Sequence, residues 1–412
     1  QPPAPPADGA PDGMGAPPDG MGGGSQTVSQ GSAATIIDGD TSVTGLSYAS
    51  SGADENALRV TGEVTALLTG ITVDKVGGTD NADSCNFYGQ NAGLLATDGA
   101  SVTISGASIT TDGSGANGVF AYGSGTVVTI TGSTIATAQD NSGGILVTGG
   151  GTLIAQELTV ETQGNSSAAI RSDRGGGTMS VTGGTYGSHG TGSPAIYSTA
   201  SISVNGAILT ATASEAVVVE GKNSVTLTDC DVTGNMQGTY GQDSGENLQN
   251  VMLYQSMSGD ADVGRSDFAM TGGSLTALAG DMFYVTNTAC SIELSGVALS
   301  LANGMLLRVA GNDGSRGWGQ QGENGGDCVF TADGQALSGL ISVDGISVLA
   351  LTLQNGSSFA GAINTDGQAG EVNVTLDAAS TWTLTGDSNI TSFTGDMAQV
   401  DLNGYTLNIA QA

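Results

Sequence analysis

At ten places in the chain, a glycine closes a short phrase of alternating apolar and polar residues, and this repeat restricts the fold more than any other feature. Typical phrases are VTISG at 102–106 and IELSG at 292–296. Apolar residues at alternate positions indicate a strand with one buried face, and a glycine followed by a further apolar residue indicates a corner. The ten glycines are Gly70, Gly106, Gly132, Gly183, Gly206, Gly272, Gly296, Gly334, Gly356 and Gly404.

The spacing of these glycines selects one β architecture. Gly106 and Gly132 are 26 residues apart, and we expect Gln156 and Asp229 to take the glycine's place in two later repeats. A leucine-rich repeat of similar period needs a leucine-asparagine consensus, and a propeller blade needs about 40 residues or more. We therefore predict an all-β fold, a right-handed parallel β-helix with coils of about 22–27 residues and with insertions as side loops.

The composition and the net charge indicate where the protein is found and which partners it does not bind. Glycine accounts for 69 of 412 residues, and 39 Asp and Glu oppose 8 Lys and Arg, for a formal net charge of −31. Little in this composition favours helices, so we expect almost none. The charge would repel nucleic acid and anionic lipid, and no apolar run reaches the roughly 18 residues of a membrane span. Because the chain begins at Gln1 without a methionine, we predict a processed, extracellular protein, secreted or at the cell surface.

Residues 1–30 differ in kind from the rest of the chain. The segment APDGMG at 10–15 is nearly duplicated as APPDGMG at 16–22, and such Pro/Gly-rich sequence cannot build a core. We predict an extended tail over residues 1–30 and a single β-helix domain over residues 31–412. Two docking modes remain open: the tail lies along its own chain, or it joins subunits, with Met14 and Met21 among the contacts.

Three stretches enlarge the basic coil: residues 74–91, 235–267 and 311–327. Insertions in a solenoid are displaced to its sides, where they commonly form binding surfaces. The loops 258–265 and 311–327 follow apolar strands at equivalent positions. We therefore expect both loops to project from one edge.

Carboxylates and an aromatic residue in these two loops form a predicted binding site. Because calcium prefers oxygen ligands, we predict that calcium, although not a required cofactor, is held by Asp260, Asp262, Asp313, Glu323 and Asp327. Trp318 and Arg316 are predicted to face a sugar ring and its carboxylate.

A second predicted glycan surface lies around Arg171. By alternation its side chain points outward from its strand. Its outward neighbours in adjacent coils are predicted to be Leu146, Tyr197 and Val218. This strip is apolar and aromatic, which suits a partner or glycan surface better than proton transfer. We therefore add Arg171 and Tyr197 to the predicted glycan-binding residues.

Two of the four cysteines occupy equivalent positions. Cys290 lies six residues before Gly296, and Cys328 lies six residues before Gly334. The two side chains should therefore stack about 5 Å apart in successive coils. Two alternatives remain open: a disulfide bond, or two reduced side chains in an interior ladder.

No catalytic site is predicted. Residues 364–367, NTDG, match a motif of polygalacturonases, but the acids and basic residues that accompany it in those enzymes are missing. Inverting hydrolysis needs an acid and a base carboxylate separated by room for water, and we can assign no such pair. We interpret the motif as a coil corner, His189 as a solvated turn residue, and the protein as non-enzymatic.

The coil repeat is joined by a distinctive ending, TWTLTGDSNI at 381–390 followed by VDLNGYTL at 400–407. In these features the chain resembles secreted β-helix proteins of Firmicutes that are described as carbohydrate-binding or adhesin-like. Similar endings occur in autotransporter passenger domains. The resemblance implies an extracellular, non-catalytic β-helix and, in some relatives, calcium and binding to plant-wall polysaccharide.

Two functions of different classes follow from these features. The first is a structural or adhesive surface protein that assembles end to end into fibres, with the N-terminal tail as a subunit clasp. An uncapped strand edge accepts another strand, so the predicted joint consists of Leu402, Tyr405, Leu407 and Ile409. The alternative is a calcium-assisted module that binds plant-wall or other acidic polysaccharide. A pectate-lyase-like enzyme ranks third.

Overall fold

The computed structural model describes residues 28–238, 247–312, 318–367 and 370–410. These residues form two compact units, 28–217 and 218–410, and each is described by itself. Four predicted site residues lie outside the described residues, namely Met14, Met21, Asp313 and Arg316. Their roles, and that of the tail up to residue 27, stay predictions.

The N-terminal unit is a stack of coils, each of which adds one strand to each of three parallel sheets. Sheet A consists of Ser32–Ile37, Glu55–Thr61, Leu94–Thr97, Val119–Tyr122, Ile145–Thr148, Ile170–Ser172 and Ile196–Ser198. Sheet B consists of Thr41–Thr44, Thr65–Thr69, Ser101–Ser105, Val127–Thr131, Gly151–Gln156, Gly177–Thr182 and Ser201–Asn205. Sheet C consists of Ser47–Ser50, Thr72–Val76, Ser108–Asp112, Thr134–Thr137, Thr159–Thr162, Thr185–Ser188 and Ile208–Ala211. The predicted parallel β-helix is therefore confirmed.

The pairing register stacks apolar residues in the interior. In sheet B, Val102 pairs with Val128 and Ile104 pairs with Ile130, and all four side chains are buried. Full burial of such a side chain contributes roughly 1.5–3 kcal/mol. Because each coil buries its apolar residues against the coils next to it, stability builds up from one coil to the next.

A residue with left-handed backbone turns the chain from sheet B into sheet C. Gly106 has φ +61°, a conformation that favours glycine because glycine has no Cβ. In the C-terminal unit Asp229 takes this position as predicted, with φ +49°. The prediction for Gln156 was wrong by one residue, because Gln156 ends its strand and Glu157 has φ +50°. Gln156 pairs with Thr131, one residue before the corner, so the register with the adjacent coil assigns the corner.

The C-terminal unit has the same coil design. Sheet A′ consists of Gln249–Tyr254, Asp281–Thr286, Met305–Val309, Ala336–Val343, Ser358–Ile363, Thr381–Leu384 and Val400–Asp401. Sheet B′ consists of Ser224–Thr228, Ser266–Thr271, Ala289–Ser295, Asp327–Asp333, Val348–Gln354, Glu371–Leu376 and Ser392–Thr394. Sheet C′ consists of Asp231–Gly234, Ser274–Ala277 and Ala298–Ser300.

Three further elements complete the strand and helix bounds near this unit. Ser388–Ile390 pairs with Leu407–Ile409 in a small parallel sheet, and Met397–Gln399 forms a 3-10 turn. The strand Val217–Glu220 spans the division between the two units.

Aromatic side chains fill much of the interior of the C-terminal unit. Phe268, Phe283 and Phe330 pack edge to face in successive coils, with ring centroids 5.8 and 5.9 Å apart. Phe359 and Trp382 are stacked 5.8 Å apart. These rings replace the Val, Ile and Leu ladders of the N-terminal unit and contribute large buried apolar areas.

A ladder of buried hydroxyl groups supports one corner of the N-terminal unit. The backbone N–H of Ser142 donates to Ser167 Oγ at 2.9 Å, and the N–H of Ser167 donates to Ser193 Oγ at 2.8 Å. Buried backbone donors need such partners, because water cannot reach them. The sequence analysis did not predict this ladder.

The insertion after residue 76 contains a short helix, Ala82–Tyr88, the one α-helix among the described residues. Asn81 caps it by accepting a hydrogen bond from the N–H of Ser84, and Gly89 ends it with φ +77°. The carbonyl of Phe87 accepts a 2.7 Å hydrogen bond from Thr148 Oγ1. The helix is therefore attached to the outer side of sheet A.

Candidate functional site

Two loop regions of the C-terminal unit meet at an aromatic pair. Tyr254 ends the strand Gln249–Tyr254, and Trp318 lies in the loop that follows the strand Met305–Val309. The two ring centroids are 5.9 Å apart, with an interplanar angle of 29°, and both side chains are partly exposed. The second loop therefore reaches the strand end from which the first loop starts. We call Tyr254 and Trp318 the aromatic platform.

A buried carboxylate orients the tyrosine of the platform. Glu220 is 1% exposed, and its Oε2 accepts a 2.8 Å hydrogen bond from the Tyr254 hydroxyl. Its Oε1 accepts a hydrogen bond from the hydroxyl of Ser256. Hydrogen bonds to a carboxylate are stronger than neutral ones. Glu220 therefore holds the Tyr254 ring in place, which lowers the entropy that a ligand would lose by ordering it.

Two buried amide oxygens beside the platform have no hydrogen-bond partner among the described residues: Gln255 Oε1 and Asn312 Oδ1. Gln255 is 6% exposed and Asn312 is 5% exposed. The amide nitrogen of Gln255 donates to the carbonyls of Ser256 and Ala261, at 3.3 and 3.4 Å. That of Asn312 donates to Thr286 Oγ1 at 3.3 Å. An unmet buried acceptor costs about 1–3 kcal/mol, and both oxygen atoms are closed off from the surface.

Glycine backbone lies close to both oxygens. A Cβ at Gly319, the neighbour of Trp318, would lie 1.8 Å from Asn312 Oδ1, and a Cβ at Gly221 would lie 3.0 Å from Gln255 Oε1. Both glycines have positive φ, +99° and +64°, which other residues rarely adopt. The glycine backbone therefore covers the two oxygens, and the surface that the site offers to a ligand is that of the partly exposed rings of Tyr254 and Trp318.

Sequence reasoning identified Trp318 but missed the residues around it. Tyr254 and Gln255 lie shortly before the first predicted loop, and Asn312 is the second residue of the second loop, so a search of the loop ends would have found them. Glu220 gave no local signal, because it contacts Tyr254 across 34 residues of sequence.

The carboxylates of the predicted calcium site are spread over the two loop regions. Asp260 is partly exposed, and Asp262, Glu323 and Asp327 are exposed. In the described part of the chain, no three His, Cys, Asp or Glu side chains form a group that could hold a metal ion. Calcium binding stays a prediction.

Arg171 occupies a buried position on the outer side of sheet A. Its predicted register is correct, since it pairs with Leu146 on one side and Tyr197 on the other. Leu146 is fully buried, however, in a cluster with Ala92, Leu95 and Phe120. Arg171 itself is 8% exposed, and its Nε lies 2.6 Å from Asp173 Oδ2. This strip is therefore mostly covered by the protein's own residues, and Tyr197 is its partly exposed member.

Cys290 and Cys328 pair directly across neighbouring strands of sheet B′, as their positions predicted. Both are buried free thiols, as are Cys85 and Cys230. Burial raises the pKa of the Cys290 thiol, and the adjacent Cys328 thiol raises it further. Both thiols are free in the structure, and the disulfide alternative stays a prediction.

The predicted joint forms the last coil of the C-terminal unit that the structure describes. Leu402 and Tyr405 are 44% and 43% exposed. Leu407 and Ile409 are partly buried and pair with Ser388 and Ile390. Within the described residues, the strand Leu407–Ile409 has no second neighbouring strand.

The NTDG segment forms a coil corner, as interpreted. Asn364 has φ +49°, and its Oδ1 accepts a 2.7 Å hydrogen bond from the N–H of Val343. His189 is part of a surface network, in which Nε2 lies 2.7 Å from Glu161 Oε2 and Nδ1 lies 3.1 Å from Thr212 Oγ1.

Comparison with known proteins adds the hand of the helix. Residues 69–268 match the family model described as "Right handed beta helix region". The chain is a right-handed parallel β-helix. No curated protein and no solved structure matches this β-helix. Among its described residues, no helix is long and apolar enough to span a membrane. Because a shared fold does not imply a shared function, the function has to be argued from the site.

Proposed function

We propose that the protein is an extracellular, non-enzymatic carbohydrate-binding protein whose binding site is the aromatic platform. The observation that carries the proposal is the stacked and partly exposed pair Tyr254 and Trp318. Sugar rings have apolar C–H faces, which aromatic ring faces complement.

The platform is largely formed before a ligand arrives. Glu220 holds the Tyr254 hydroxyl, and the Trp318 ring rests against the Tyr254 ring. Preorganisation improves affinity because fewer side-chain rotations are lost on binding. The partly exposed ring faces therefore supply affinity.

The experiment compares Trp318→Ala with the matched control Tyr405→Ala, which removes an exposed aromatic ring elsewhere in the same unit. Glycan arrays identify ligands, and isothermal titration calorimetry measures their affinity. We expect Trp318→Ala to weaken binding at least about tenfold, equivalent to about 1.4 kcal/mol, and the control to bind as wild type does. Equal binding by wild type and Trp318→Ala would contradict the proposal, and release of shortened or unsaturated sugars would indicate an enzyme.

The last described coil supports a second candidate function, end-to-end self-assembly. Leu402 and Tyr405 expose apolar surface there, next to a strand edge that accepts a further strand. Light scattering should detect oligomers of wild type that disappear in Leu402→Glu. The control is Leu278→Glu, which adds the same charge at a leucine that is 60% exposed. A wild-type protein that stays monomeric at high concentration would refute this function.

A further inference from the structure

Resting on the proposed function, we propose that the protein has a second carbohydrate-binding site, formed in the N-terminal unit by Tyr88 and Tyr122. The centroids of the two rings are 6.0 Å apart, and the rings meet edge to face with an interplanar angle of 83°. Both side chains are partly exposed. Aromatic ring faces complement the apolar C–H faces of sugar rings. We call Tyr88 and Tyr122 the tyrosine pair.

The tyrosine pair is built in the same way as the aromatic platform. Tyr122 is the last residue of a strand of sheet A, and Tyr254 is the last residue of a strand of sheet A′. The second ring comes from a stretch that enlarges the basic coil: residues 74–91 supply Tyr88, and a side loop of the C-terminal unit supplies Trp318. Side loops of a solenoid commonly form binding surfaces. We therefore assign the enlarged coil of the N-terminal unit to ligand binding.

The helix that carries Tyr88 is fixed before a ligand arrives. Tyr88 is its last residue, and Gly89 ends it. The carbonyl of Phe87 accepts a 2.7 Å hydrogen bond from Thr148 Oγ1. The guanidinium carbon of Arg174 lies 4.1 Å from the centroid of the Phe87 ring, which is a favourable cation–π distance. Because these contacts hold the backbone next to Tyr88, a ligand has less of it to order.

The ring of Tyr122 is supported by the protein on one side. It packs against a fully buried apolar cluster that includes Leu95, Phe120 and Leu146. A Cβ at Gly149 would lie 3.1 Å from Tyr122 Cε2, so the ring also lies close to the backbone of that glycine. The side chain nevertheless stays partly exposed. A ring that is held in this way can stack against a sugar with little loss of side-chain entropy.

The two sites should differ in affinity. The platform contains the large indole ring of Trp318, whereas the tyrosine pair has two smaller phenol rings, and the aromatic area that is buried dominates contacts of this kind. We expect the tyrosine pair to bind about tenfold more weakly, equivalent to about 1.4 kcal/mol. Its binding is therefore measured in Trp318→Ala, in which the platform is impaired and the tyrosine pair is intact.

The test is calorimetric titration of the full-length protein with trisaccharides of glucose, xylose, mannose and galacturonic acid. We expect Trp318→Ala to retain weaker binding of at least one of these probes. Adding Tyr122→Leu, which removes the ring but keeps an apolar side chain against the cluster, should weaken this residual binding at least tenfold. Adding Tyr405→Leu, the matched control at an exposed tyrosine of the C-terminal unit, should leave the residual binding unchanged.

A second variant protects the test against misfolding. Tyr88→Ala removes the other ring and introduces a residue that favours the helix, so it should weaken the residual binding as Tyr122→Leu does, and circular dichroism checks the fold of each variant. Loss of all binding in Trp318→Ala, or residual binding that Tyr122→Leu and Tyr88→Ala leave unchanged, would overturn the inference and leave the proposed function standing. Equal binding by wild type, Trp318→Ala and Tyr122→Leu, or no binding of any probe, would overturn the proposed function and the inference with it.

Discussion

The hydroxyl ladder of the N-terminal unit provides a stability prediction that can be worked out atom by atom. Ser167 is fully buried. Its Oγ accepts from the N–H of Ser142 at 2.9 Å and donates to the carbonyl of Asn165 at 3.0 Å. Ser167→Ala removes these two hydrogen bonds and a longer one from Oγ to the carbonyl of Gln139 at 3.3 Å, but leaves the backbone of the coil unchanged.

The expected cost has two parts. Loss of the hydrogen bond to the Asn165 carbonyl costs about 1 kcal/mol, and a buried N–H left without an acceptor at Ser142 costs about 1–3 kcal/mol. We therefore expect Ser167→Ala to lower the free energy of unfolding by about 2–4 kcal/mol. The control Ser180→Ala changes an exposed serine on the outer side of sheet B and should stay within about 0.5 kcal/mol of wild type.

Urea unfolding measures the difference in free energy, and amide hydrogen exchange tests its origin. The N–H of Ser142 should exchange faster in Ser167→Ala than in Ser180→Ala, because its acceptor is missing. The reasoning would be refuted if the two variants had the same stability and the Ser142 N–H remained equally protected in both.

Three further predictions follow. All four cysteines are buried free thiols, and burial raises the pKa of Cys85 to about 12. We therefore expect no thiol to react with Ellman's reagent at pH 8 before denaturation and four to react after it. A count of only two reactive thiols after denaturation would indicate a disulfide between Cys290 and Cys328. Hydrogen bonds, of which that from the Ser380 hydroxyl is the largest cause, lower the pKa of Asp377 below its ordinary value of 3.8. The contribution of the Asp377 carboxylate to stability is therefore present above about pH 4 and is lost as pH falls through the lowered pKa. Asp377→Ala should be less stable than wild type at pH 6, and a stability difference that persisted at pH 2 would contradict this assignment. Phe283 packs between the rings of Phe268 and Phe330 in the core. Phe283→Ala should therefore lower the free energy of unfolding, measured with a denaturant, by about 3–5 kcal/mol. A decrease of less than about 1 kcal/mol would show that the ring is not packed as described.

Where residues repeat, the sequence predicted the structure well. The positions of Cys290 and Cys328 relative to their glycines placed them opposite each other, and the structure has them paired. Coil stacking is periodic, so a residue's position within its own coil is enough to predict its neighbours above and below. The error at Gln156 arose where the glycine is missing, and there only pairing with Thr131 assigns the corner to Glu157.

Outward-facing surfaces were predicted less well. Alternation correctly gave the side of the sheet on which Arg171 lies, but not its burial or its ion pair with Asp173. The helix Ala82–Tyr88 comes from a distant insertion and is attached to the outer side of sheet A through the Phe87 carbonyl. A period in the sequence describes the coil itself and contains no information about which loop covers it.

The sequence by itself determined the coil, its length and its interior ladders, because alternation and corner residues act within about 25 residues of chain and recur from coil to coil. Tertiary structure alone decided the candidate site. Tyr254 and Trp318 stack, and Glu220 holds the tyrosine across 34 residues, although no repeat relates the three positions. Loops that fall outside the repeat meet only because the coils beneath them are already stacked. Trp318 and the common edge of the two loops were therefore predicted, whereas the contacts of Tyr254 with Trp318 and Glu220 were not.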